Sequence, residues 1–291
     1  MLRPRIILAA LLLLTAAAVF GQRRGFRGGW GGESHIPESA TTAREVENHS
    51  TETPLWSNPP GFEQDAFTFA RVRYTHNGFG GRGGWSTDAP DSDLNLSYRL
   101  QQMTSVLADP NGRFIRLTDP DLTSYPFLYL VEAGALSFST EEATALRNHL
   151  LNGGFLMLDD FWGEREWNTA EACLKQVFPD REFVELSLDH ELYRRPFQIQ
   201  SKGQVPNWFV GTQSQWTHQT WEGPPDREDA REVHHRAILD DRNRIMVLAT
   251  HNTDNGDGWE REGENHYFFE HFSEKISYPL GINIVFYIMT H

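Results

Sequence analysis

Gly153-Gly154-Phe155-Leu156-Met157-Leu158-Asp159-Asp160-Phe161-Trp162-Gly163 decides how the rest of this chain reads. Two glycines close a helical pattern, an unbroken apolar run follows, and the run stops in two carboxylates and a tryptophan. A short continuous apolar run after a helix reads as a strand buried on both faces. In an open α/β sheet the ligand crevice lies beyond the carboxyl ends of such strands, which puts Asp159 and Asp160 at its edge. Adjacent strand residues point to opposite faces, so one of the two heads the crevice unless the chain turns there. A carboxylate so placed can bind a cation, hold a sugar hydroxyl, or act as acid or base with a partner. The plain alternative is that one of them caps the next turn or helix.

The flanking segments extend the same pattern. Upstream, Phe127–Val131 reads as a buried strand, and Ser139-Thr140-Glu141-Glu142 opens a helix with a capping box. Leu146, Leu150 and Leu151 give that helix its apolar side, and Gly153 its left-handed exit. Strand, helix and strand with tight joints predict a right-handed parallel crossover. Further upstream, Phe67–Tyr74 and Arg113–Leu117 read as strands around a helix from about Leu94 to Leu107, with Asp91 and Asp93 favouring its positive end. Downstream come a helix near Thr169–Phe178 and a strand at Glu182–Leu186. Asp189 to about His235 reads as long loops with a few short strands. Arg236–Leu239 and Ile245–Thr250 form two strands about the turn Asp240–Asn243, and a loop from His251 to Gly263 follows. Ile276, Leu280, Ile284 and Ile288 recur every four residues and predict a closing helix. The fold class is α/β, with a parallel sheet flanked by helices.

Residues 1–21 read as a secretory signal peptide, from Arg3 and Arg5, the apolar stretch Ile6–Phe20, and a small-residue site before Gln22. The apolar run is short of the ~20 residues of a membrane span, so no span is expected after cleavage. Residues 22–64 read as a flexible Gly/Arg/Ser/Pro-rich tether, and residues 65–291 as the folded domain. The expected location is periplasmic or extracellular. Formal net charge is −14, and −16 once Arg3 and Arg5 leave with the leader, so nucleic acid is excluded as a partner. A single cysteine, Cys173, rules out an internal disulfide and reads as a packing residue inside a helix.

Candidate chemistry is carried by carboxylates and indoles. The run Asp254-Asn255-Gly256-Asp257-Gly258-Trp259-Glu260 looks like a turn cluster; its spacing fails the helix–loop–helix calcium pattern and leaves only an irregular calcium site open. Trp259 in such a loop is hard to assign to a core. The glycine loop Asn77–Gly81 lacks dinucleotide spacing, no Gly-x-Ser-x-Gly elbow exists, and neither His234-His235 nor His266 with His271 has zinc-ligand spacing. No metal or cofactor is assigned. His190, directly after Asp189, is kept as a crevice residue or a helix-start hydrogen bonder.

Phe67–Tyr74, Leu117–Pro120, Tyr125–Tyr129, Asn152–Leu156, Asp159-Asp160, Val177–Asp180, Asp189-His190, Gly256–Glu260 and Gly281–Val285 together resemble the bacterial family called domain of unknown function 4159, over about residues 67–291. The resemblance implies a flavodoxin-like sheet related to class I glutamine amidotransferases, whose nucleophilic cysteine stands at a strand-to-helix elbow. Here the corresponding strand ends in Asp159-Asp160, with no cysteine. Relatives encoded near AAA-type ATPases and von Willebrand-type proteins imply an accessory role in the cell envelope.

The expectation is an exported domain binding a small molecule, a glycan or an envelope protein, with a crevice lined by Asp159, Asp160, Trp162, His190, Asp254, Asp257 and Trp259. One rival is a hydrolase, plausibly glycan-directed, pairing Asp160 with Asp257 or Glu260. A purely structural module of an envelope complex is the other.

Overall fold

The computed structural model describes residues 36–50, 52–62, 65–75 and 84–291. The signal peptide, the Arg/Gly part of the tether and the loop Asn77–Gly81 lie outside the described residues. Among these described residues seven strands form one sheet: β1 (Ala70–Val72), β2 (Arg113–Ile115), β3 (Phe127–Val131), β4 (Phe155–Asp159), β5 (Val184–Glu185), β6 (His234–Leu239) and β7 (Ile245–His251). Their order across the sheet is β2-β1-β3-β4-β7-β6-β5. The first five in that order are mutually parallel, and β6 runs antiparallel to both β7 and β5. The carboxyl ends of β1, β3, β4 and β7 therefore share one rim.

Strand alternation decides which helices cover each face. Leu128, Leu130, Leu156 and Leu158 point towards α2 (Thr140–Leu151) and α3 (Gly163–Val177), meeting Leu146, Leu150, Trp167 and Leu174. Phe127, Tyr129, Phe155 and Met157 point the other way, onto α1 (Asp91–Met103), the short α5 (Asn255–Glu260) and α7 (Tyr278–Thr290). Ser139 and Glu142 close the predicted capping box, and Gly153 leaves α2 with φ +104°.

Several boundaries differ from the reading of the sequence. The helix α1 begins at Asp91, because its first turn is held from outside the helix. Arg71 makes a buried bidentate pair with Asp93, and Asn48 and the His49 backbone donate to Asp91. The expected loops between Asp189 and His235 contain α4 (Trp208–Thr217). The expected loop after β7 is largely α5, and a π-helical run, Phe269–Ser277, connects the turn of α6 (His266–Phe268) to α7.

The tether's expected flexibility does not describe residues 36–50 and 52–58. Ile36, Ala40 and Ala43 pack on Leu94 and Phe114, and Arg44 donates to the carbonyls of Pro110, Thr53 and Pro54. The Trp56 indole donates to the Ala108 carbonyl. A segment too polar to form its own core still gains by lying on an existing one, provided its peptide groups find partners. Among the described residues no helix is long and apolar enough to cross a membrane.

Candidate functional site

The strand β4 ends in two carboxylates with opposite fates. Asp159 keeps the alternation and points towards α5, fully buried, where it accepts from the hydroxyls of Thr250 and Tyr129, the Asn255 amide and the Gly256 backbone. Burial raises its pKa against those four hydrogen bonds. It therefore ties β4 to the start of α5 and is a structural group. Asp160 breaks the alternation because the chain turns there, with φ +51°. This left-handed turn lifts its side chain out of the strand and up to the rim, where Oδ1 accepts from the Trp162 indole at 2.9 Å.

The turn delivers Asp160 to other acids. Oxygens of Asp160, Glu222 and Asp254 all lie within 4.8 Å of one another, and a second such set is Asp88, Asp257 and Glu260. A third, His49 with Asp91 and Glu260, extends the row towards the amino-terminal segment. The two purely acidic sets adjoin, since the charges of Asp88 and Asp257 both act on Asp254. Burial first, and then neighbouring carboxylates, push Asp160, Asp254, Asp88 and Glu260 well above the ordinary acid range. Glu222 is raised to about 7 by the same causes.

Local sequence explains how so many acids come together. Asp254 caps α5 by accepting from the Asp257 backbone at 2.8 Å, so the helix presents Asp257 and Glu260 on the rim. Gly256 allows the close fit: a Cβ there would stand 2.2 Å from an Asp88 carboxylate oxygen and 2.8 Å from the Tyr129 hydroxyl. The α4 amino terminus supplies donors, with Trp208 N to Asp257 and Asn207 N to Glu222 at 3.1 Å. Basic side chains are shared unequally. Arg261 lies 2.6 Å from Glu260 and 3.8 Å from Asp257, whereas no ion pair is present at Asp160, Glu222 or Asp254 among the described residues.

Not every residue expected in the crevice lines it. Trp259 belongs to the core, fully buried with its ring centroid 5.8 Å from that of Tyr129 and 6.2 Å from that of Phe69. The loop that was to expose it is a helix turned inward. Trp162 is also buried and supports Asp160 from below. His190 is at the opposite edge, its ring against Tyr287, whose hydroxyl accepts from the first residue of β7; it accepts from the Leu192 backbone as a helix-start cap. Glu222 and Asp88 were missed, one in a Trp/Pro-rich stretch and the other in a turn. Their only sequence signal was acidity. Cys173 is buried inside α3 and donates to the Leu136 carbonyl.

A mostly parallel α/β sheet with an acid-lined rim at its carboxyl edge is the class of protein these observations define. The chain belongs to the family described as "Domain of unknown function (DUF4159)", whose model matches residues 68–289. No curated protein matches the chain.

Proposed function

We propose that this protein is an exported binding domain of the cell envelope whose rim holds a hard divalent cation, calcium above all, between Asp160, Glu222 and Asp254. The observation that carries the reading is that these three carboxylates share one small space and that, among the described residues, none of them is held in an ion pair. Oxygens no more than 4.8 Å apart can sit on a sphere of calcium–oxygen radius, about 2.3–2.6 Å. All-oxygen ligation suits calcium, magnesium or manganese better than zinc or copper. Bound there, the cation would neutralise acids that otherwise repel one another. The leader-like residues 1–21 support export, and a neutralised rim supports docking of a partner at the same edge.

The strand order β2-β1-β3-β4-β7 is that of flavodoxin-like sheets, which supports the amidotransferase-like placement. The elbow after β4 is where such relatives carry their nucleophile, and Asp160 stands there in the left-handed turn. With Cys173 buried in a helix, binding is better supported than amide transfer. Hydrolysis by Asp160 paired with Asp257 or Glu260 has less support: both candidate partners are at least nine-tenths buried and already engaged by Trp208 N and Arg261.

Thermal unfolding of chelator-treated protein, followed with added calcium, magnesium or manganese, tests this reading. Calcium at about one hundred times its dissociation constant should stabilise by about 2.7 kcal/mol. Asp160→Asn and Asp254→Asn should abolish the gain. A melting point indifferent to all three ions would sink the proposal.

A further inference from the structure

A cleft of about 640 Å³ opens between α3 and the edge of the sheet at β5 and β6, and it shares no residue with the acidic rim. Strand pairing sets its floor: Glu185 stands directly across from Arg236, so both side chains lie on the face that carries α3. The Arg236 guanidinium is held on three sides. It stacks 4.0 Å over the Trp167 ring, its Nε lies 3.4 Å from Glu185, and its Nη1 donates to His251 Nδ1 at 3.4 Å. Burial lowers the His251 pKa to about 4, so that ring is neutral; its Nε2–H donates to the Gly163 carbonyl and Nδ1 is left to accept. Arg236 Nη2 has no partner among the described residues, and the side chain is 20% exposed. Lys202 and His234 are both engaged by Glu185. The walls are different. The carboxylates of Glu171, on α3, and Glu232, just before β6, make no hydrogen bond or ion pair among the described residues. Phe183 and Val233, both half-buried, give the lining its apolar part.

We propose that this cleft binds short peptides with free termini, the carboxylate on Arg236 and the ammonium on Glu171 or Glu232. A guanidinium fixed in its plane with one edge open suits a carboxylate. Two basic side chains of the lining stand against three acidic ones, in a chain of net charge −14, which disfavours polyanions. A polycation would meet Lys202 and Arg236. A neutral glycan would cover two carboxylates and a guanidinium edge without supplying a counter-charge to any of them. A molecule with one carboxylate, one ammonium and an apolar body answers each feature of the lining. The volume falls in the range of about 300–1,000 Å³ of sites for drug-sized ligands, which a single amino acid would underfill. Nothing in the cleft depends on a cation at the rim.

Titration calorimetry of the full chain in chelator tests the cleft, with trialanine and alanyl-phenylalanyl-alanine as probes. At least one tripeptide should bind with a dissociation constant below about 1 mM. Acetylating its amino terminus or amidating its carboxyl terminus should each weaken binding by about tenfold or more. Arg236→Gln should bind the peptide and its amide alike. The double variant Glu171→Gln, Glu232→Gln should bind the peptide and its acetylated form alike. Because neither glutamate has a partner to lose, that double variant should melt as the parent does, which keeps the test open if Arg236→Gln is destabilised. No binding by either tripeptide, or binding indifferent to capping, would overturn the inference. So would free phenylalanine or alanine binding as tightly as the tripeptides. With chelator present throughout, the result stands apart from the success or failure of the calcium reading.

Discussion

Replacing Glu222 with glutamine isolates the electrostatic tension at the rim. Glu222 accepts a backbone hydrogen bond from Asn207 and shares its space with Asp160 and Asp254. Burial, then the charge of Asp257, raise its carboxyl from 4.5 to about 7. A carboxyl raised in this way holds its proton more tightly folded than unfolded. Its contribution to stability is present below the unfolded pKa of 4.5 and is lost as pH rises through about 7. One pH unit is worth about 1.4 kcal/mol, so the whole interval would amount to about 3 kcal/mol. Glu222 is half-buried, and solvent screening reduces that to about 1–2 kcal/mol. Glutamine keeps the acceptor oxygen and removes the charge. In chelator at about pH 8, Glu222→Gln should therefore be more stable than the parent by about 1–2 kcal/mol, and near pH 4 the two should coincide. Saturating calcium should stabilise the parent and leave the variant nearly unchanged, narrowing or reversing the order. Urea unfolding followed by tryptophan fluorescence reads each of these conditions. A variant less stable than the parent at high pH in chelator would refute the reasoning, as would equal calcium responses.

Trp259→Ala should cost about 3–5 kcal/mol in the same unfolding assay, because it empties the space between Phe69, Tyr129 and Leu96; a loss below about 1 kcal/mol would return the residue to a surface loop. Arg71→Met should cost about 3–5 kcal/mol, since it strands the Asp93 carboxylate without its bidentate partner in a fully buried site. Gly256→Ala should cost about 1–3 kcal/mol in the same unfolding assay, as the new methyl must displace the Asp88 carboxylate and crowd the Tyr129 hydroxyl.

The parts of the fold legible in the sequence were those where one local signal had one meaning. The apolar runs of β3 and β4 could only be buried strands, and Ser139 with Glu142 marked the start of α2 to the residue. α4 was illegible because its residues are neutral on every side, so no polar stripe betrays the helical period. The stretch Asp254–Glu260 misled for a different reason. Its glycines, which read as turn residues, are there because Asp88, Tyr129, Val205 and Ser277 approach the helix too closely for a Cβ. At the rim, Asp160, Asp254, Asp257 and Glu260 were visible as acids near a strand end. Their company of Asp88 and Glu222 depends on loops whose path no periodicity records.

The docking of residues 36–50 and 52–58 has a practical consequence for anyone expressing this domain. A clone cut at residue 68, where the family match begins, would strip away His49, Asn48 and Ser50 from the Asp91 and Glu260 end of the rim. It would also uncover Leu94 and Phe114 to solvent. Such a truncated product would be expected to aggregate, and a failed ligand screen on it would say nothing about the intact molecule.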